Sequence, residues 1–139
     1  MSDKVLVDTS SWIDYFTVAQ SPVRDTVSRL LRERLVVYTG IIALELIRGA
    51  KTSKEQATLD ALFDSIERVD EQPTTHLKAG RMGARLARQG VTIGTVDLLI
   101  AQLAIENMVR LHTQDRHFRM IAEHVPLRLY ENAPRRQSS

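Results

Sequence analysis

Apolar residues along this chain fall into short unbroken runs and longer stretches of helical period. Val5, Leu6 and Val7 are consecutive, two of them β-branched, and Asp8 stops the run. That is the pattern of a parallel strand buried on both faces, with a carboxylate at its carboxyl end. Trp12, Ile13 and Phe16 then predict a short helix. Ser21-Pro22 marks a helix start, Ser as cap and Pro in the first turn, and the helix runs to about Arg34 with Val23, Val27, Leu30 and Leu31 on one face. Val36 to Thr39 is a second strand, broken by Gly40, and Ile41 to Arg48 is a helix that Gly49 ends. Ser53-Lys54-Glu55-Gln56 has the form of a capping box. It opens a helix whose stripe is Leu59, Leu62, Phe63 and Ile66, followed by a brief strand near Arg68-Val69.

A further helix starts at Pro73-Thr74-Thr75 and stops at Gly90. The next, from Gly94-Thr95, is apolar on nearly every side between Val96 and Ile105, which predicts a buried helix. Val109 to His112 and Leu127 to Tyr130 complete the strands. Strands alternating with helices give an α/β domain with a mostly parallel central sheet and helices on both faces. We expect one domain over residues 1–132 and a disordered tail over residues 133–139.

Composition narrows the function little. The 139 residues contain no cysteine, which excludes disulfides and thiolate metal sites. No apolar run approaches the roughly 20 residues of a membrane span, and nothing at the start resembles a signal peptide, so a cytoplasmic protein with no membrane partner is expected. A net charge of +2 is too mild to indicate nucleic acid by itself. Its distribution says more: Arg81, Arg85 and Arg88 share one side of a helix, Arg116, His117 and Arg119 follow an acid, and Arg135 and Arg136 lie in the tail.

The acids carry the chemistry. Asp8 stands where ligands bind in open parallel sheets, though it would serve equally as a helix cap. Glu45 is the only charge in the run Ile41-Ile42-Ala43-Leu44-Glu45-Leu46-Ile47. Asp97 lies in the first turn of the buried helix, where the dipole alone favours an acid. Asp115 follows a strand end by three residues and alone would be a turn residue. Two acids past strand ends and two on neighbouring helices would meet at one rim. Each pair about 4 Å apart would then cost about 4 kcal/mol at an effective dielectric near 20. A hard divalent cation offsets that repulsion, and a carboxylate set without Cys or His suits Mg²⁺.

Val7-Asp8-Thr9-Ser10, Glu45 with Gly49 four residues on, Asp97-Leu98-Leu99-Ile100-Ala101-Gln102-Leu103-Ala104 and Thr113-Gln114-Asp115-Arg116-His117-Phe118 together resemble a PIN domain. More narrowly, they resemble the VapC-type toxins of bacterial toxin–antitoxin pairs, from about Lys4 to Tyr130. The resemblance implies a Mg²⁺- or Mn²⁺-dependent endoribonuclease. It matches Asp8, Glu45, Asp97 and Asp115 to the family's acidic quartet, with Asp8 and Asp97 as its most regular metal ligands. Ser10 and Thr113 match hydroxyl positions near the site, and with Arg81, Arg85 and Arg116 they are the expected substrate-positioning residues. Many relatives carry a further acid after the fourth, where this chain has Arg116-His117; a second metal ion is correspondingly less secure. The implied partners are a VapB-type antitoxin, an RNA substrate and a second copy of the chain. Trp12, Ile13 and Phe16 are the expected antitoxin contact, with an antitoxin Arg aimed at the acids.

The implied chemistry is hydrolysis by water on a divalent cation, Glu45 or Asp115 positioning that water or taking its proton. Other readings fare worse. A phosphoaspartate phosphatase would want a second Asp where Ser10 stands, and a receiver domain a late Lys, whereas the last is Lys78. No Walker loop, GxGxxG stretch, nucleophile elbow or zinc spacing is present, and His76, His112, His117 and His124 are expected to be surface or capping residues. The alternative is a PIN-like module that binds RNA or protein without cutting.

Overall fold

The structure is a computed structural model that describes residues 2–132. The elements are β1 (Val5–Val7), α1 (Thr9–Thr17), α2 (Pro22–Arg32), β2 (Val36–Tyr38), α3 (Gly40–Arg48), α4 (Ser53–Ser65), β3 (Glu67–Arg68), α5 (Thr75–Arg88), α6 (Thr95–Glu106), β4 (Arg110–His112) and α7 (Arg116–Ala122). The strands form one parallel sheet in the order β3-β2-β1-β4. Val5, Leu6 and Val7 are all inaccessible to solvent, so both faces of β1 are covered, each side chain contributing about 1.5–3 kcal/mol of apolar burial. From β1 the chain builds one half of the sheet through β2 and β3, then returns to the other side as β4. The order therefore reverses at β1, and the crevice of such a sheet lies beyond the carboxyl ends of β1 and β4. Val7 pairs with His112, so Asp8 and Thr113 leave the sheet side by side.

Helix α6 is buried along most of its length, as its apolar surface predicts, with Leu98, Ile100, Ala101, Leu103 and Ala104 in the core. It lies against α5 at Gly83, where an added Cβ would come within 2.5 Å of a Leu98 methyl. That close approach sets the first turn of α6, and Asp97 with it. Gly90, at φ 84°, lets the chain reverse between these two helices.

Several local expectations shift. The second strand does stop short of Gly40, at Tyr38, but Gly40 already belongs to α3 as its first residue, capped by Thr39, whose hydroxyl accepts from the Ile42 amide. The cap of α4 is Thr52 rather than Ser53: its side chain accepts from the Glu55 amide, while Glu55 accepts from the Lys51 amide. The segment 127–130 is not a full strand; it makes one parallel bridge, Leu111 to Leu129, beside β4. Trp12 is wholly buried against Tyr15, Phe16 and Phe63, so only Ile13 and Phe16 of the expected contact face solvent, at 51% and 41%. The expected tail, with Arg135 and Arg136, lies outside the described residues. No helix among the described residues is long and apolar enough to cross a membrane.

Candidate metal centre

Four acids come from four elements, and the charges of the other three all act on Asp97. Among the described residues the one group of three donors within 4.8 Å of one another is Asp97, Asp115 and His117, without Asp8 or Glu45. Asp8 follows β1, Glu45 lies on α3, Asp97 in the first turn of α6, and Asp115 immediately precedes α7. Asp8 holds the N-cap position of α1, yet its side chain makes no capping hydrogen bond. Instead its Oδ2 accepts from Ser10 Oγ and from Thr113 Oγ1, each at 2.9 Å. Ser10 Oγ in turn accepts from the Gln114 amide at 3.0 Å, and Thr113 Oγ1 from the Asp115 amide at 3.0 Å. Two hydroxyls thus tie the end of β1 to the loop after β4 and aim the Asp8 carboxylate. Glu45 Oε1 accepts from Thr9 Oγ1 at 2.9 Å, which ties α3 to the start of α1. Asp115 is a true cap, accepting from the His117 amide at 2.9 Å.

Electrostatics report the convergence. Burial raises the Asp97 carboxyl above the usual aspartate value, and the charges of Asp115, Asp8 and Glu45 push it further, against an opposing pull from His117. Asp8, 5% exposed, is also raised, chiefly by burial, and the Thr113 and Ser10 hydroxyls draw it partly back. Desolvation therefore outweighs mutual repulsion as the cause of both shifts, a ranking that spacing along a sequence cannot give. Carboxylate and hydroxyl oxygens with one nearby imidazole are a donor set suited to a hard divalent cation. The fit is chemical as well as geometric: an ion supplies the positive charge that clustered, partly buried carboxylates lack.

The remaining expected residues lie around this centre. Arg116 opens α7 and is exposed. Arg81, Arg85 and Arg88 line a groove between α5 and α6 with Lys78, Ala84 and Gln102, about 550 Å³ in volume, whose lining includes none of the four acids. An apolar groove of about 560 Å³ includes Ile13, Phe16, Leu46 and Leu59, and extends to Thr9 and Glu45 of the acidic site.

Three residues have roles that sequence reasoning missed. Thr9 holds Glu45, though its place beside Asp8 read only as a cap. His117 is not merely a surface residue: its Nδ1 lies 3.4 Å from Asp115 Oδ1 and 3.7 Å from Asp97 Oδ2. His112 is buried, with Nδ1 2.8 Å from Ser11 Oγ and Nε2 2.7 Å from Asn132 Oδ1. Burial holds its imidazole below the ordinary histidine value and so neutral. Ser11 Oγ also donates to the His112 carbonyl at 3.2 Å, so Ser11 meets both the ring and the backbone of His112 and locks α1 to β4.

The family model of the PIN domain matches residues 5–124. Ribonuclease VapC11 of Mycobacterium tuberculosis is 32% identical over 122 residues, covering 85% of this chain and 91% of the relative. Ribonuclease VapC1 of Methanocaldococcus jannaschii is 30% identical over 129 residues, covering 92% and 88%. Among solved structures, VapBC2 from Rickettsia felis bound to a promoter DNA fragment superposes with a TM-score of 0.74 at 23% identity, covering 91% of this chain and 96% of that one. VapC20 of Mycobacterium tuberculosis, described as a Sarcin-Ricin loop cleaving toxin, superposes at 0.62 with 16% identity, covering 90% and 99%. At these identities the superpositions speak for the fold.

Proposed function

The chain belongs to the PIN-domain family, among the VapC ribonucleases, and from that premise we propose that it is the RNA-cutting toxin of a toxin–antitoxin pair whose metal centre is Asp8, Glu45, Asp97 and Asp115. The observation that carries this reading is geometric: Asp97 and Asp115, from two elements, have donor atoms within 4.8 Å of each other, and Thr113 Oγ1 ties Asp8 to the same loop by donating to Asp8 and accepting from the Asp115 amide. A bound Mg²⁺ or Mn²⁺ supplies a water of lowered pKa and positive charge against the phosphodiester. Asp8, held by Ser10 and Thr113, Asp97, held at the first turn of α6, and Asp115, at the cap of α7, would present oxygens to that ion. Glu45, held by Thr9, would take the proton of the attacking water. Water oxygen bonds to phosphorus as the bond to the 3′ oxygen breaks, leaving a 5′-phosphate and a 3′-hydroxyl. The 2′-hydroxyl takes no part as nucleophile.

Binding surfaces flank the chemistry. The cationic face of α5, with Arg81 and Arg85, suits the RNA backbone, and Arg116 stands beside Asp115 to meet a phosphate. The groove of Ile13, Phe16, Leu46 and Leu59 suits an apolar segment of a VapB-type antitoxin. Because Glu45 lines the same groove, an Arg on that segment would reach the acids and make a charge-assisted pair.

The test is incubation of the purified protein with total RNA, with Mg²⁺ or with EDTA, followed by mapping of the cut ends. Metal-dependent cuts bearing 5′-phosphates, absent in Asp97→Asn, are expected. Binding of RNA with no cleavage under any metal would instead make the chain a non-cutting module.

A further inference from the structure

The imidazole of His117 is built into the metal centre by the cap that starts α7. Asp115 accepts from the His117 amide, which fixes the backbone of residue 117 directly over the Asp115 carboxylate. The ring then faces two acids from different elements, Asp115 at 3.4 Å and Asp97 at 3.7 Å, both through Nδ1. One donor atom from each of Asp97, Asp115 and His117 lies within 4.8 Å of the other two. Two donors each about 2.1 Å from a shared ion stand about 3.0 Å apart at a right angle and about 3.4 Å apart in a tetrahedron. The observed separations are therefore those of neighbouring ligands, give or take a few tenths of an ångström. The His117 side chain is 61% exposed, so its ring is free to make that adjustment.

Resting on the metal-dependent reading above, we propose that His117 Nδ1 is a ligand of the ion held by Asp97 and Asp115, and that it biases the centre away from Mg²⁺ toward Mn²⁺ and Zn²⁺. The bias follows from donor chemistry. Mg²⁺ takes oxygen and surrenders its waters reluctantly, so an added imidazole does little for it. Imidazole nitrogen binds first-row divalent ions with affinity rising from Mn²⁺ toward the end of the series, and Zn²⁺ is a habitual partner. A centre of carboxylates alone would show this preference more weakly.

The experiment measures Mg²⁺, Mn²⁺ and Zn²⁺ binding to the full chain and to His117→Ala by calorimetric titration. In parallel, the imidazole nitrogens of the parent are followed by NMR as diamagnetic Zn²⁺ is added. The variant should lose about tenfold or more in Mn²⁺ and Zn²⁺ affinity and less than about twofold in Mg²⁺ affinity. The Nδ1 resonance of His117 should move with Zn²⁺ saturation. Equal losses for all three ions, or an Nδ1 resonance that stays in place while Zn²⁺ binds, would overturn the role of His117 and leave the carboxylate centre standing. A parent that binds none of the ions would overturn the centre itself and this proposal with it.

Discussion

Thr113 Oγ1 donates to Asp8 Oδ2 at 2.9 Å, joining residues 105 positions apart in the chain. The bond follows from strand register: Val7 pairs with His112, so the next residue on each strand emerges beside the other. It orients a buried carboxylate and holds down a pKa that burial raises.

Thr113→Val removes that hydroxyl while keeping its shape. The Asp8 carboxyl should then titrate higher still, because the bond it loses favours the charged form. Groups that orient a metal ligand typically account for about 10–100-fold in metal affinity or activity, so cleavage and Mn²⁺ affinity should both fall on that scale. Thr113→Ser should retain most of both. Titration calorimetry and a cleavage assay read the result.

Stability of the metal-free protein should depend on pH through opposing groups. Asp8 and Asp97 have raised folded values, so the fold is favoured where they are protonated. That stability is lost as pH rises from about 3.9, the unfolded value, through their folded values. His112 has a lowered folded value, so its contribution is present above about 6.5 and is lost as pH falls through that folded value. In melts with EDTA across pH, Asp97→Asn should lose part of the acid-side gain, and His112→Gln should lose part of the decline below about 6.5. Parallel melting curves for all three proteins would refute both assignments.

Phe16 and Trp12 should separate binding from folding. Phe16 is 41% exposed on the apolar groove, and Phe16→Ala should weaken antitoxin binding by about 1–2 kcal/mol while costing less stability than Trp12→Ala. Trp12 is inaccessible, and Trp12→Ala should destabilise the fold by about 3–5 kcal/mol. Chemical denaturation and antitoxin titration distinguish the two. Unchanged antitoxin affinity in Phe16→Ala would place the partner elsewhere.

If Arg85 contacts a phosphate, Arg85→Ala should make the salt dependence of RNA binding shallower by about 0.7–0.9 units of log–log slope. An unchanged slope would return Arg85 to a solvated helix face.

The strand-end acids were legible because parallel strands leave an unbroken apolar run and a sharp stop, as at Val7-Asp8. Glu45 stood out as a lone charge in an apolar helix, and the all-round apolar surface of α6 announced its burial. Cap register was not legible, since Thr52 and Ser53 both offer hydroxyls and Glu55 and Gln56 both suit the return position. Nor could periodicity tell the single bridge at Leu129 from a strand, because that distinction depends on pairing beside β4. Trp12 was grouped with Ile13 and Phe16 because three large apolar residues crowd one short helix, and only the packing of Phe63 from α4 reveals its burial. His117 was passed over because its meaning lies in the distance to Asp97, twenty residues away and on another helix.

The most direct test of the central claim, that four acids form one metal centre, needs no substrate: thermal melts of the parent and of Asp97→Asn, with and without Mg²⁺ or Mn²⁺ at neutral pH. Free metal at 100-fold above its dissociation constant should stabilise the parent by about 2.7 kcal/mol, because the ion binds only the folded site. Metal-free Asp97→Asn should melt higher than the metal-free parent and respond weakly to either ion. A parent melt that ignores both ions at millimolar levels, with Asp97→Asn no more stable, would contradict the claim.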